Sequence, residues 1–228
     1  MVTAVLTGWG QIMSYPPEPW SLRGDMYVSV WLVPAAVVPQ LPAGLDGPVR
    51  VVRLGSRAVV GAAWVDYQPG GDLSYRELLA ATLTRSGARP RVTISHIWVD
   101  SVDSRDGGRE LWGIPKDLAD LTVTTAAATA ETRSGPIASA AIHNGPHLPF
   151  RLPVAFRVAQ ALAGAPKVTP VRSTARYGTT RVVWDVAADG PLGFLSGRRP
   201  LVSMAATDFR MRFGDPARRP AAETTAAT

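Results

Sequence analysis

The sequence predicts an α+β protein that is mainly antiparallel β-sheet. Three observations carry this. Gly (21 residues) and Pro (20 residues) recur throughout and cut the 228-residue chain into short pieces. Those pieces are rich in β-branched and aromatic residues, with turn signals about every 8–12 residues. Helical periodicity is sparse. The number of strands alone fits a barrel or a sandwich.

The elements follow in order. Asp25–Val33 (DMYVSVWLV) is a strong strand. Val49–Leu54 and Arg57–Tyr67 form two runs around Gly55-Ser56, a hairpin turn. Leu73–Leu83 fits helix by its Ala and Leu content and strand by its place between strands. Arg91–Val99 (RVTISHIWV) is a strand. Leu121–Ala130 and Pro136–Ile142 flank a polar turn at Thr132–Gly135. Leu152–Ala163 (LPVAFRVAQALA) is expected to be a short helix with Pro153 in its first turn. Thr174–Ala187 is broken at Gly178, which suggests a bulge or turn, and Val202–Phe213 is a late strand. No long repeat and no hinge-like linker divides the chain. Residues 1–215 are therefore read as one domain, and the Ala/Thr/Pro-rich residues 216–228 as a disordered tail.

Composition excludes several functions. At 46% hydrophobic and 18% charged residues the chain is globular. Cys is absent, which removes disulfides, thiolate metal sites and thiol catalysis. The longest apolar stretch, Val28–Val38, is broken by Pro34 and falls short of the about 20 residues a bilayer requires. The opening MVTAVLTGWGQIM lacks a positive n-region and a cleavage site and reads as a mature, cytoplasmic N-terminus. Net charge is 24 − 18 = +6, but the basic residues are scattered singly, and no stripe exists to track phosphates; a nucleic-acid partner is not expected. His143 and His147 have metal-ligand spacing, yet Gly145-Pro146 between them breaks any helix, so no metal is expected.

One detail of the basic residues points to chemistry. Of the 24, 22 are Arg and two are Lys, Lys116 and Lys167. An Arg keeps its proton in a protein, whereas a buried Lys can become a neutral nucleophile. Lys116 lies in the densest pattern of the chain, GGRELWGIPKDLA from Gly107 to Ala119. Pro115 fixes its own φ and pushes Ile114 toward extended geometry. Lys116 thus follows a stiff apolar segment, with Trp112, Ile114 and Leu118 near enough to form an apolar wall. An unperturbed lysine titrates near ~10.4, so only about one in 2,500 is neutral at pH 7. A nucleophilic role therefore requires burial to push the ammonium down.

The run GRELWGIPKDLA resembles the signature of the acetoacetate decarboxylase family: Gly-Arg-Glu, four residues, Pro-Lys, then Leu and a small residue. Weaker similarity covers Ser21–Val33, Tyr75-Arg76-Glu77 and Pro191–Phe213. The resemblance implies a barrel- or cone-like sheet with flanking helices, a site inside it and a homo-oligomer. It implies a cofactor-free carbon–carbon lyase acting on a small keto acid. Lys116 would attack the ketone of a β-keto acid, the protonated Schiff base would draw electrons as CO2 leaves, and the enamine would be protonated and hydrolysed. Glu77 would transfer protons, Arg23 would meet the substrate carboxylate, and Trp112 and Ile114 would line the substrate.

Two departures from the family pattern favour other chemistry. Asp117 stands where a second Lys is usual, and a carboxylate there favours the ammonium unless an extended backbone turns the two side chains to opposite sides. A second carboxylate, expected about 15 residues before Glu77, is missing, since Val59–Ala63 is apolar. The alternatives are a Schiff-base aldol condensation, dehydration or cyclisation on a larger keto acid, of the kind found in secondary metabolism, or a non-catalytic barrel that binds a small acid.

Overall fold

Apolar residues on both faces of the central strands set the architecture. The computed structural model describes residues 14–45 and 47–215. The readings made for Met1–Met13 and for residues 216–228 lie outside them. Thirteen strands form one sheet. In chain order they are β1 (Trp20–Pro34), β2 (Arg50–Val51), β3 (Arg53–Leu54), β4 (Arg57–Tyr67), β5 (Tyr75–Ser86), β6 (Arg89–Val99), β7 (Lys116–Leu118), β8 (Asp120–Val123), β9 (Ala127–Thr132), β10 (Gly135–His147), β11 (Leu152–Leu162), β12 (Ala165–Val186) and β13 (Val202–Phe213). A single α-helix among the described residues, α1 (Val102–Trp112), connects β6 to β7.

The main path of pairing is β11-β6-β5-β4-β1-β13-β12-β10-β9-β8, and β11 also pairs with β12. The pairings therefore return on themselves as a ring, but this ring is not a barrel, which corrects the barrel- or cone-like expectation. Its closure is thin: β11 meets β6 through one parallel pair, Val158 with Val92. The 22-residue β12 also forks. Its first part pairs with β11 and its last part with β10, so β10, β9 and β8 leave the ring as an extension. The expected flanking helices reduce to α1 and two short 3-10 turns, at Ala35–Val37 and Gly193–Leu195.

Two cores lie back to back across β1, β4, β5 and β6. Tyr27, Trp31, Trp64, Leu78 and Trp98 face one, which the β8–β10 extension covers. Leu22, Ala63, Val65, Ala81, Ile94 and Ile97 face the other. Successive strand residues point to opposite faces, so strands buried on both read as continuous apolar runs.

Two local expectations are overturned. Leu152–Leu162 is a strand because Leu152, Val154, Phe156 and Val158 alternate, and because it pairs with β12 along its whole length; that ladder overrides the Ala content. Thr174–Ala187 does not break into two strands at Gly178. Through Val186 it runs within the single strand β12, whose pairing with β13 shifts register between Thr174 and Arg176 and whose pairing with β10 is irregular at Gly178, between Asn144 and His147. From Tyr75 onward the ambiguous Leu73–Leu83 segment is strand, as part of β5 (Tyr75–Ser86).

Candidate functional site

Lys116 owes its position to a short crossover. Ser101 caps α1 by accepting the Ser104 N–H, and Gly113 ends it in the left-handed conformation at φ 67°. A side chain at Gly113 would meet the Ala161 carbonyl, with its Cβ 2.1 Å from that oxygen. Ile114 and Pro115 then turn the chain into β7, which pairs parallel to β6 with Lys116 beside Ile97. This places Lys116 on the cavity side of the sheet.

The amine is almost dry, with Lys116 4% exposed. Its Nζ donates to Glu77 Oε2 at 2.9 Å, Ser104 Oγ at 2.9 Å and Tyr75 Oη at 3.2 Å. The other Glu77 oxygen accepts from the Tyr67 hydroxyl at 3.1 Å. The Tyr75 ring lies under the amine, with its centroid 4.8 Å away. Burial and the Glu77 charge push the Tyr75 phenol up to about 12, and they hold Tyr67 well above its usual value, so both keep their protons.

The electrostatics of Lys116 differ from the sequence expectation. Burial pushes its ammonium down, but the Glu77 carboxylate and the Tyr75 oxygen outweigh burial, and the net direction is upward. Desolvation brought a counter-charge with it. Asp117 is not the cause: it is 66% exposed at its side chain, faces away from the cavity and pairs with Arg109.

Ser104 and Gly108 stand one turn apart on α1 and both face Lys116. Gly108 lies against the aliphatic stem: a Cβ there would stand 2.7 Å from Lys116 Cδ and 2.9 Å from Cε. Gly108→Ala is expected to destabilise the fold by about 1–3 kcal/mol through overpacking, read as a lower thermal midpoint. A midpoint equal to the parent's would show that the stem is not seated there.

The amine opens on a cavity of about 660 Å³. Trp112 and Ile114 line it and are buried. The Trp112 indole N–H donates to Glu18 Oε2 at 2.5 Å, and its ring packs edge-on against Trp20. Val59, Gly61, Ala62 and Ala63 also line the wall, so the region that lacks the second carboxylate is apolar cavity surface. Arg23 is not brought to the amine. It alternates to the opposite face from Leu22, is exposed, and lies over Gly70 in an outer cleft with Arg172, Arg210 and Arg212. The sequence reading missed Ser104 and Tyr67. The Ser101 cap and the four-residue spacing of Ser104 and Gly108 were the available signal for the first.

The fold and this cavity define a β-sheet protein with a lysine–carboxylate pair buried in an apolar chamber. Residues 4–185, which is 182 of 228, match the family model described as acetoacetate decarboxylase (ADC). The chain belongs to the acetoacetate decarboxylase family, whose members include enzymes. The fold is similar to acetoacetate decarboxylase from Legionella pneumophila subsp. pneumophila str. Philadelphia 1, at 16% identity and TM-score 0.61, covering 88% of this chain and 87% of that one. It is also similar to the enduracididine biosynthesis enzyme MppR complexed with the condensation product of pyruvate and imidazole 4-carboxaldehyde, at 14% identity and TM-score 0.56, covering 94% and 95%. A third likeness is an acetoacetate decarboxylase-like enzyme from Sphingomonas wittichii RW1, at 15% identity and TM-score 0.56, covering 93% and 97%. Among curated proteins, none matches the sequence. No helix among the described residues is long and apolar enough to cross a membrane.

Proposed function

We propose that this protein is a Schiff-base enzyme that condenses a keto acid with a second carbonyl compound, with Lys116 as nucleophile and Glu77 as proton carrier. The observation that carries the reading is the 2.9 Å bond between a dry amine and a single carboxylate at the wall of a large apolar cavity.

The steps follow from that pair. The ammonium passes a proton to Glu77, and the neutral amine adds to the keto carbon. Glu77 returns the proton to the departing hydroxyl, and water leaves a protonated imine. Glu77, again a carboxylate, removes a proton from the adjacent carbon and leaves an enamine. The enamine carbon attacks the second carbonyl, water is lost, and hydrolysis frees Lys116. The neutral phenols of Tyr67 and Tyr75 hold Glu77 and the amine in place.

Three features support condensation over release of CO2. The cavity lies within the roughly 300–1,000 Å³ typical of drug-sized ligands, well beyond a four-carbon acid. Among the described residues that line the cavity, no second cation stands beside Lys116 to force its proton off, and no second carboxylate faces it. The similar MppR structure is described with a condensation product of pyruvate and an aldehyde.

The test is incubation with pyruvate, reduction with borohydride and mapping of the adduct by mass spectrometry. A second arm adds an aromatic aldehyde and follows the absorbance of the conjugated product; a third measures CO2 from acetoacetate. Adduct at Lys116 with conjugated product supports the reading. Adduct with CO2 release and no condensation replaces it with a decarboxylase. No adduct with either acid overturns the imine chemistry.

A further inference from the structure

The cavity is far longer than the reacting groups require, and its length has a direction. Along β5, Glu77, Leu79, Ala81 and Leu83 all face it. Strand residues advance about 3.3 Å each, so the wall runs about 20 Å from the Glu77 level to the Leu83 level. Each level continues across the sheet: Leu79 pairs with Ala63, and Ala81 with Gly61. Charge is confined to one end, since Lys116 and Glu77 are the only charged side chains on the wall among the described residues. The other polar side chains are Tyr67, Tyr75, Ser173 and Tyr177. Beyond Ala81 the wall is Val59, Leu83 and Val92. Small residues widen the middle: a Cβ at Gly61 would meet only the Ser29 carbonyl oxygen, at 3.8 Å.

We propose that the substrate carries an extended apolar chain, with its carbonyl at Lys116 and its tail past Gly61 and Ala81 toward Leu83. Bonds of about 1.5 Å at tetrahedral angles advance an extended chain about 1.25 Å per carbon, so roughly eleven carbons reach past Ala81, about 13 Å from the Glu77 level, and about sixteen fill the channel. This rests on the imine reading for the role of Lys116, but the tail site stands on the cavity alone.

The probes are pyruvate, 2-oxohexanoate, 2-oxodecanoate and 2-oxotetradecanoate. Their binding is measured by calorimetry on the parent and on Lys116→Arg, with borohydride trapping on the parent in parallel. Each added methylene is expected to tighten binding about fourfold, so about 250-fold from 2-oxohexanoate to 2-oxodecanoate. Gly61→Leu and Ala81→Leu block the channel in two separate variants, and each is expected to cut the 2-oxotetradecanoate-to-pyruvate affinity ratio at least tenfold. A flat series in the parent and in Lys116→Arg overturns the proposal, as does a steep series that survives in both blocked variants. A steep series without any reducible adduct upholds the tail site and removes the imine reading instead.

Discussion

Lys116→Arg is expected to fold, to bind keto acids and to yield no borohydride-reducible adduct at any pH. A guanidinium keeps its proton throughout the accessible range, so it never presents the free lone pair that addition to a ketone requires. It does keep a cation beside Glu77. Breaking a buried ion pair by deleting one partner costs about 3–5 kcal/mol, and Arg avoids leaving that carboxylate alone. Thermal unfolding, calorimetry and peptide mapping together read the outcome. An adduct that persists in this variant would move the nucleophile elsewhere and end the mechanism.

Glu77→Gln is expected to move two readouts in opposite directions. The carboxylate is what holds the Lys116 ammonium up against burial. Without it, burial acts with less opposition and the amine titrates lower. In the parent, imine trapping rises with pH because the resting amine is protonated. In the variant that rise moves to lower pH, and trapping of pyruvate at neutral pH increases. Condensation still needs a group to take the carbon-bound proton, so turnover falls by about 10²–10⁴. The stability linkage has a matching sign. A raised lysine value in the folded state contributes stability below its unfolded value near ~10.4, lost as pH rises through the folded value. The parent is therefore expected to lose this stabilisation in strong alkali, and Glu77→Gln to lack it. A trapping profile that does not shift in the variant would show that Glu77 does not govern the amine.

Lys116 and Glu77, the proposed nucleophile and its partner, were legible as a motif and a resemblance. Pro115-Lys116 after Gly108-Arg109-Glu110, together with Tyr75-x-Glu77, named the two residues that the fold brings within 2.9 Å. Arg23 illustrates the limit of such transfer. Its place in the chain matched, but strand alternation put its side chain on the opposite face from Leu22, in an outer cleft that adjoins the cavity through Leu22, Pro153 and Met211 but leaves Arg23 off the cavity wall. Helix α1 was masked by its two glycines, although the Ser101 and Gly113 caps were there to be read.

Local chemistry, which residue order does specify, accounts for the strand segments, the hairpin at Gly55-Ser56, the stiff approach to Lys116 and the rarity of lysine. Pairing and charge balance depend on groups far apart in the chain, and only the folded protein sets them. It made Leu152–Leu162 a strand through its ladder with β12, and it left the ring of strands unlike a barrel because β12 serves two neighbours in succession. It also reversed the expected direction for Lys116: the burial that should have stripped its proton delivered Glu77 from 39 residues away, and at this distance attraction outweighs desolvation.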